Sequence, residues 1–215
     1  MTNMKYRAVI FDLDGVICYT DKYHYQAWKA IACELGIHFD QKINNRLRGV
    51  SRMESFDIIL EGYHGTLSQE EKKAYTEKKN QIYQALLKNM TKDELAPDVK
   101  KTLDSLRDKG LKLAIGSSSR NAQFILDQIG LGHYFDAVSD GNNILHSKPD
   151  PEVFLKAAQY LGEEPEKCLV VEDAKAGIQA AQAGGMDSAA LLDAVLFPQA
   201  TYKLMHFTDL LQVVE

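Results

Sequence analysis

Short unbroken apolar runs alternate along this chain with longer stretches whose apolar residues recur at helical spacing. Ala8-Val9-Ile10, Leu111-Lys112-Leu113-Ala114-Ile115-Gly116 and Cys168-Leu169-Val170-Val171 have the length and composition of buried strands. Phe135 to Val138 reads as a further short strand, and Ala189 to Leu192 as a weaker one. Between the first two strands the pattern is helical throughout. Tyr25, Trp28, Ile31, Ala32 and Leu35 predict a helix from Lys22 to Leu35, stopped by Gly36, with Thr20 and Asp21 both able to cap it. Ser51-Arg52-Met53-Glu54 and Ser68-Gln69-Glu70-Glu71 match capping boxes, the second opening a polar helix to about Asn89. The apolar stripe of that helix is narrow: Tyr75, Ile82, Tyr83, Leu86 and Leu87.

After Pro97 strands and helices alternate again. Helices are predicted from Pro97 to Gly110, Asn121 to Ile129, Asp150-Pro151 to Leu161, Ala174 to Ala183, and Phe207 to Val214. Alternation of this kind predicts a doubly wound α/β core, with a mostly parallel sheet covered on both faces. The strand-free stretch from 19 to 90 reads as an inserted helical cap domain, leaving 1–18 and 91–215 as the core. Hinges are expected near Ile17–Tyr19 and Thr91–Leu95.

The polar residues of interest come directly after the strands, where open α/β sheets hold their ligands. Asp12-Leu13-Asp14-Gly15 ends the first run. A lone carboxylate there is often a surface residue; two, followed by glycine, suggest a loop turning around something cationic or electrophilic. Mg²⁺ takes hard oxygen ligands and is commonly held by one or two carboxylates with substrate phosphate. An aspartate can attack phosphorus once that charge is neutralised, and a second can carry the proton. Gly116-Ser117-Ser118-Ser119-Arg120-Asn121 leads from a strand into a helix, so its hydroxyls and free backbone N–H groups can cradle a phosphate, or merely cap the helix. Lys148 is framed by Pro149 and Pro151, and Glu172-Asp173 closes the last strong strand.

Composition narrows the classes further. With 215 residues, 45% hydrophobic and 26% charged, the chain is ordinary for a globular protein with a sizeable core. A net charge of −5 offers no footprint for nucleic acid or an anionic membrane. No stretch has the length of a membrane span, and the first apolar run meets Asp12 too soon for a signal peptide. Cys18, Cys33 and Cys168 are odd in number and widely spaced, which suits a reduced, cytoplasmic protein. A monomer is expected.

Taken in order, Asp12-Leu13-Asp14-Gly15-Val16, the serine after the second strand, Lys148 and the late acidic pair resemble the motifs of the haloacid dehalogenase superfamily of aspartate-nucleophile phosphotransferases. The resemblance covers nearly the whole chain and, within the superfamily, points most to the β-phosphoglucomutases. It implies that Asp12 is the nucleophile and Asp14 the acid/base. It implies Ser117 as phosphate ligand and Lys148 as the ammonium that offsets negative charge. Asp12, the Asp14 carbonyl, Glu172 and Asp173 would be ligands of Mg²⁺. In the cap, Thr20, His24 and Trp28 form a one-turn ladder, and the implied part of Thr20 and His24 is to place the acid/base aspartate. Arg48-Gly49-Val50-Ser51-Arg52 resembles the family's cap substrate loop, with Arg52 holding the phosphate distal to the reacting one. Lys79 matches a cap lysine near the site, although a solvated lysine reads the same. Ser119, Arg120 and Asn121 are implied substrate contacts; Arg120 also reads as a solvated turn residue.

Two departures stand out: Arg48 replaces a lysine of the best-known members, and Tyr19 replaces a hinge aspartate. The activity implied is interconversion of β-glucose 1-phosphate and glucose 6-phosphate through a 1,6-bisphosphate. The alternative is an Mg²⁺-dependent sugar-phosphate phosphatase. A catalytically silent binding protein on the same fold is a third reading, disfavoured by the intact motif set. No motif is evident beyond Met186.

Overall fold

The computed structural model describes residues 4–48 and 50–215. Six strands, β1 (Ala8–Phe11), β2 (Lys112–Gly116), β3 (Ala137–Ser139), β4 (Cys168–Glu172), β5 (Asp187–Ala190) and β6 (Tyr202–Lys203), form one parallel sheet in the order β3-β2-β1-β4-β5-β6. β1 is central because it is apolar at every position and so tolerates cover on both faces. Val9 and Phe11 pack on one face with Leu103, Leu106 and Phe207; Ala8 and Ile10 pack on the other with Phe154, Ala157 and Ala181. Helices α5 (Pro97–Asp108), α6 (Ala122–Gln128), α7 (Glu152–Leu161), α8 (Lys175–Ala183) and the short α9 (Leu210–Val213) belong to this core.

Among the described residues between β1 and α5 the elements are helical, apart from an isolated bridge between Asp14 and Cys18: α1 (Asp21–Glu34), α2 (Gln41–Asn45), α3 (Arg52–Leu60), α4 (Gln69–Leu87), and a 3₁₀ turn at Lys92–Glu94. They form the inserted cap, with an apolar centre of its own around Trp28, Ile31, Phe56 and Ile59. The Trp28 and Phe56 rings stack with centroids 5.9 Å apart and planes 9° from parallel. Both expected capping boxes are formed, at Ser51–Glu54 and Ser68–Glu71, each cap stabilising its helix by roughly 1 kcal/mol. Tyr83 and Leu87 on α4 pack in the same cluster as Val9 and Phe11, so α4 joins cap to core.

The periodicity misplaces some details. β3 begins at Ala137 rather than Phe135, and neither α2 nor β6 is anticipated, being too short to show a period. The expected terminal helix is a 3₁₀ turn, Phe207–Asp209, followed by α9; Asp209 folds back to accept the N–H groups of Met205 and His206. The buried face of α4 is Thr76, Lys79, Asn80, Tyr83 and Leu87, mostly polar, where an apolar stripe was expected.

Candidate active site

The register of the sheet assembles the site. Phe11 pairs with Ile115 of β2 and with Val171 of β4, so the next residues along each strand come level at the carboxyl edge. Those residues are Asp12, Gly116-Ser117 and Glu172-Asp173. The Asp12 N–H still donates to the Val171 carbonyl at 2.9 Å, which holds its carboxylate beside that of Glu172. Oxygens of Asp12, Glu172 and Asp173 lie within 4.8 Å of one another, and all three residues are buried. Two glycines permit this crowding. Gly15 has φ +91°, and a Cβ there would meet Asp173 Oδ2 at 2.1 Å. A Cβ on Gly177 of α8 would fall 1.9 Å from the Glu172 carboxyl group.

Lys148, only 1% exposed, comes from the loop between β3 and α7 and answers this charge. Its Nζ donates to Asp12 Oδ1 and to Glu172 Oε1, both at 2.5 Å, and lies 4.7 Å above the Phe154 ring. Burial alone would lower the lysine's pKa, but the two carboxylates raise it, so the ammonium stays charged. Glu172 also accepts the Ala174 N–H at 2.9 Å. Burial and the neighbouring carboxylates push Glu172 and Asp173 above the usual carboxylate range. Three carboxyl groups thus crowd around one point, with a single ammonium bonded to two of them.

Ser117 is buried at the end of β2, and its hydroxyl accepts the Ser119 N–H at 3.2 Å; Ser119 Oγ accepts the Asn121 N–H at 3.2 Å. Two N–H groups of the expected cradle, those of Ser119 and Asn121, are therefore not free. None of the three serines caps α6 by side chain.

Asp14 lies one turn of chain from Asp12, on the cap side. Thr20, expected as a possible cap of α1, makes no capping bond; its hydroxyl instead donates to Asp14 Oδ1. Burial in the cleft, then the Asp12 charge, push Asp14 up to about 7. His24 Nε2 stands 3.9 Å from Asp14 Oδ2, and its Nδ1 is 2.9 Å from Lys79 Nζ. Burial and Lys79 hold His24 well below the usual imidazole range. When Lys79 is charged its ammonium can only donate, so Nδ1 then accepts and the ring proton of the neutral imidazole lies on Nε2, towards Asp14.

Lys79 is the largest departure from a solvated reading: it is 2% exposed, with Nζ 4.9 Å from the Trp28 ring centroid and 4.4 Å from that of Tyr83. Tyr83 also packs on His24, ring centroids 4.1 Å apart.

A cavity of about 530 Å³ opens between cap and core. Asp12, Asp14, Ser117, Lys148 and Asp173 line its core side; His24, Trp28, Arg48, Val50, Ser51, Arg52 and Lys79 line its cap side; Ser119, Arg120 and Asn121 complete the wall. Thr20 and Glu172 stand behind the lining at 0% and 1% exposure. Gly49 lies outside the described residues. Arg120 is exposed at the rim, consistent with either reading of it. Arg52 donates to Asn80 Oδ1 at 2.8 Å and faces Glu77 at 3.7 Å. Ser51 serves as helix cap and cavity wall at once.

Sequence reasoning passed over several lining residues. Asn80 and Thr76 lie at helical spacing from Lys79 and Tyr83, a polar face on α4 that could have been noticed. Leu192, at φ 49°, lies beside Asp193 in a stretch that carried no readable motif.

Comparisons with known proteins agree with this geometry. Residues 6–185 match the family described as haloacid dehalogenase-like hydrolase. The chain is 42% identical over 182 residues to the beta-phosphoglucomutase of Bacillus subtilis (strain 168), covering 84% of this chain and 80% of that protein. It is 34% identical over 184 residues to a fructose-1-phosphate phosphatase of Escherichia coli (strain K12), covering 86% and 95%. The crystal structure of a beta-phosphoglucomutase from Clostridium difficile superposes with TM-score 0.89 at 36% identity, covering 95% of this chain and 93% of that one. The aspartate-led sheet edge, the inserted helical cap and these matches together make the chain a member of the haloacid dehalogenase-like hydrolase family.

Proposed function

We propose that the protein is a β-phosphoglucomutase, interconverting β-D-glucose 1-phosphate and glucose 6-phosphate through an aspartyl phosphate on Asp12 and a 1,6-bisphosphate. The observation that carries this reading is a cavity with cationic groups on two walls: Lys148 beside Asp12 on the core, and Arg52 on the cap. A mutase must hold a second phosphate away from the reacting one; a phosphatase need not. The beta-phosphoglucomutases among the relatives support the same choice.

Asp12, Glu172 and Asp173, with the Asp14 carbonyl, would hold Mg²⁺; this buried set of hard-oxygen donors suits it. The bound ion supplies charge neutralisation between an anionic nucleophile and an anionic phosphate. In the first half-cycle an Asp12 carboxylate oxygen attacks phosphorus, the bond to the donor oxygen breaks, and Asp14 gives that oxygen its proton. In the second, Asp14 takes the proton of an acceptor hydroxyl whose oxygen attacks phospho-Asp12, and the Asp12–phosphorus bond breaks. Thr20 and His24 orient Asp14, Lys148 holds Asp12, and Ser117 binds the transferring phosphate. The second half-cycle yields the bisphosphate, which turns around before the first half-cycle repeats, so that Arg52 takes the phosphate Asp12 has released; Ser119, Arg120 and Asn121 border that end.

In this reading residues 19–90 are a cap moving against a core of 1–18 and 91–215, and the enzyme works as a cytoplasmic monomer with three reduced cysteines. Among the described residues no helix is long and apolar enough to cross a membrane.

A sugar-phosphate phosphatase is the second reading, favoured by the likeness to the E. coli phosphatase. It uses the same first half-cycle, with water as acceptor. The deciding assay monitors β-glucose 1-phosphate with and without trace 1,6-bisphosphate. Net glucose 6-phosphate, stimulated by the bisphosphate, supports the mutase; release of inorganic phosphate alone would replace it with the phosphatase.

A further inference from the structure

One polar chain crosses the cleft between the two walls. Asn80, on α4, is 9% exposed, and its Oδ1 accepts from Arg52 Nη2 at 2.8 Å and from Asn121 Nδ2 at 3.1 Å. The remaining Asn121 oxygen accepts from Gln84 Nε2 at 2.9 Å. Asn80 and Gln84 are one helical turn apart, so α4 grips Asn121 of the core at both ends of its amide. The orientations are not arbitrary. A guanidinium has donors only, so Asn80 must present oxygen to it; Asn121 must then present nitrogen, leaving its oxygen for Gln84. The charge on Arg52 thereby sets the direction of the whole chain.

We propose that Asn80 is a positioning residue that aims Arg52 and seats the cap on the core loop at Asn121, so that the distal phosphate of a bisphosphate is gripped only when cap and core are joined. The proposal rests on the reading of Arg52 as the distal clamp. A neutral amide suits this task. Its oxygen orients the guanidinium without cancelling the charge that must meet a phosphate, whereas a carboxylate at the same place would form an ion pair and repel the substrate. Removal of the amide leaves the donors of Arg52 and Asn121 without their partner, so both the aim and the cap–core register loosen together.

The test compares two phosphoryl donors on the full-length wild type, Asn80→Leu and Asn80→Asp. Phosphorylation of Asp12 by hexose 1,6-bisphosphate uses a distal phosphate; phosphorylation by acetyl phosphate does not. Asn80→Leu is expected to lower kcat/KM for the bisphosphate at least about tenfold, and for acetyl phosphate by less than about threefold. Asn80→Asp keeps both accepting bonds, so its melting temperature should stay near wild type, while KM for the bisphosphate rises at least about tenfold. Equal losses on both donors, or none on the bisphosphate, would overturn the proposal. So would a wild type that shows no preference for the bisphosphate over acetyl phosphate. Bisphosphate use is the first half of either a mutase or a phosphatase cycle. The mutase reading is therefore judged separately, by net isomerisation of β-glucose 1-phosphate.

Discussion

Arg48 of the cap reaches Asp193 of the core, Nη1 to Oδ2 at 3.2 Å, while its Nε stands 3.7 Å from Asp21 at the start of α1. The guanidinium fork spans the two carboxylates, one on each side of the cleft, which a single ammonium could not do with the same geometry. Asp193 comes after Leu192, held at φ 49°, and the next N–H, of Ala194, donates to the Asp173 carbonyl at 3.1 Å. The cap is thus tied to the segment that carries the acidic pair. Both side chains are partly exposed, so the pair is worth no more than about 1 kcal/mol. Asp193→Ala is expected to raise KM for the sugar phosphate by about fivefold or less, with kcat little changed, and the difference should shrink in high salt. A large fall in kcat that persists in high salt would refute this account of the pair.

Asp12→Asn should abolish phosphoryl transfer while the chain still folds, because an amide nearly matches the carboxylate in shape but is a poor nucleophile. Lys148 keeps Glu172 as a partner in that variant, which limits the structural damage. Mass analysis for a phosphoryl adduct on the variant, alongside turnover, provides the check. Substantial turnover by a homogeneous preparation would remove Asp12 as nucleophile.

Activity should require Mg²⁺ and disappear on chelation, since Asp12, Glu172 and Asp173 are buried around a common point. Ca²⁺ should be a poor substitute, its longer bonds and looser coordination displacing the phosphate. Melting temperature should rise with added Mg²⁺ as binding to the folded state alone stabilises it. Full activity in a metal-free preparation is the contrary result.

Lys79 makes stability depend on pH. Burial, and Arg52 beside it, lower its pKa from 10.5 to about 7, with Asp14 opposing and His24 in contact. Between about 7 and 10.5 the unfolded chain therefore binds more protons at this residue than the folded one. Stability from this group rises with pH across that window, and the cost of burying the charge is fully present below it. Lys79→Met should flatten the rise and stabilise the fold at the acidic end. Denaturant unfolding across the window tests this; identical slopes in wild type and variant would show Lys79 titrating normally.

Arg52→Ala separates mutase from phosphatase. If Arg52 holds the distal phosphate, the variant should lose at least tenfold in mutase turnover, about 1.4 kcal/mol or more. Transfer from acetyl phosphate to Asp12, which leaves no distal phosphate to hold, should change much less. Small and equal effects on both would remove the clamp.

The carboxylate-bearing edge of the sheet was legible in the chain because its signals are local. A parallel strand buried on both faces shows as an unbroken apolar run, and the residues just past its end must lie at the sheet's carboxyl edge. Asp12, Asp14, Ser117 and Glu172-Asp173 could therefore be placed before any pairing was known, and the resemblance to the family named their implied roles. The cap helices and their capping boxes were legible for the same reason, since helical spacing and caps are written within a few residues. Long-range packing decided the rest. Thr20 looks like a helix cap until folding brings Asp14 within reach of its hydroxyl. Lys79 looks like one more solvated lysine on a polar helix until Trp28 and Tyr83 close over it. Asp193 carries no local signal, and the polar face of α4 that holds Asn80 does not reveal its contacts, because the partners Arg48 and Asn121 are 145 and 41 residues away in sequence. Strand order and register, which place Lys148 between Asp12 and Glu172, come from how the apolar faces pack. The chemistry of the edge is thus encoded within short segments. The contacts between cap and core exist only between segments, where a hydrogen bond or ion pair depends on the whole fold bringing distant residues together.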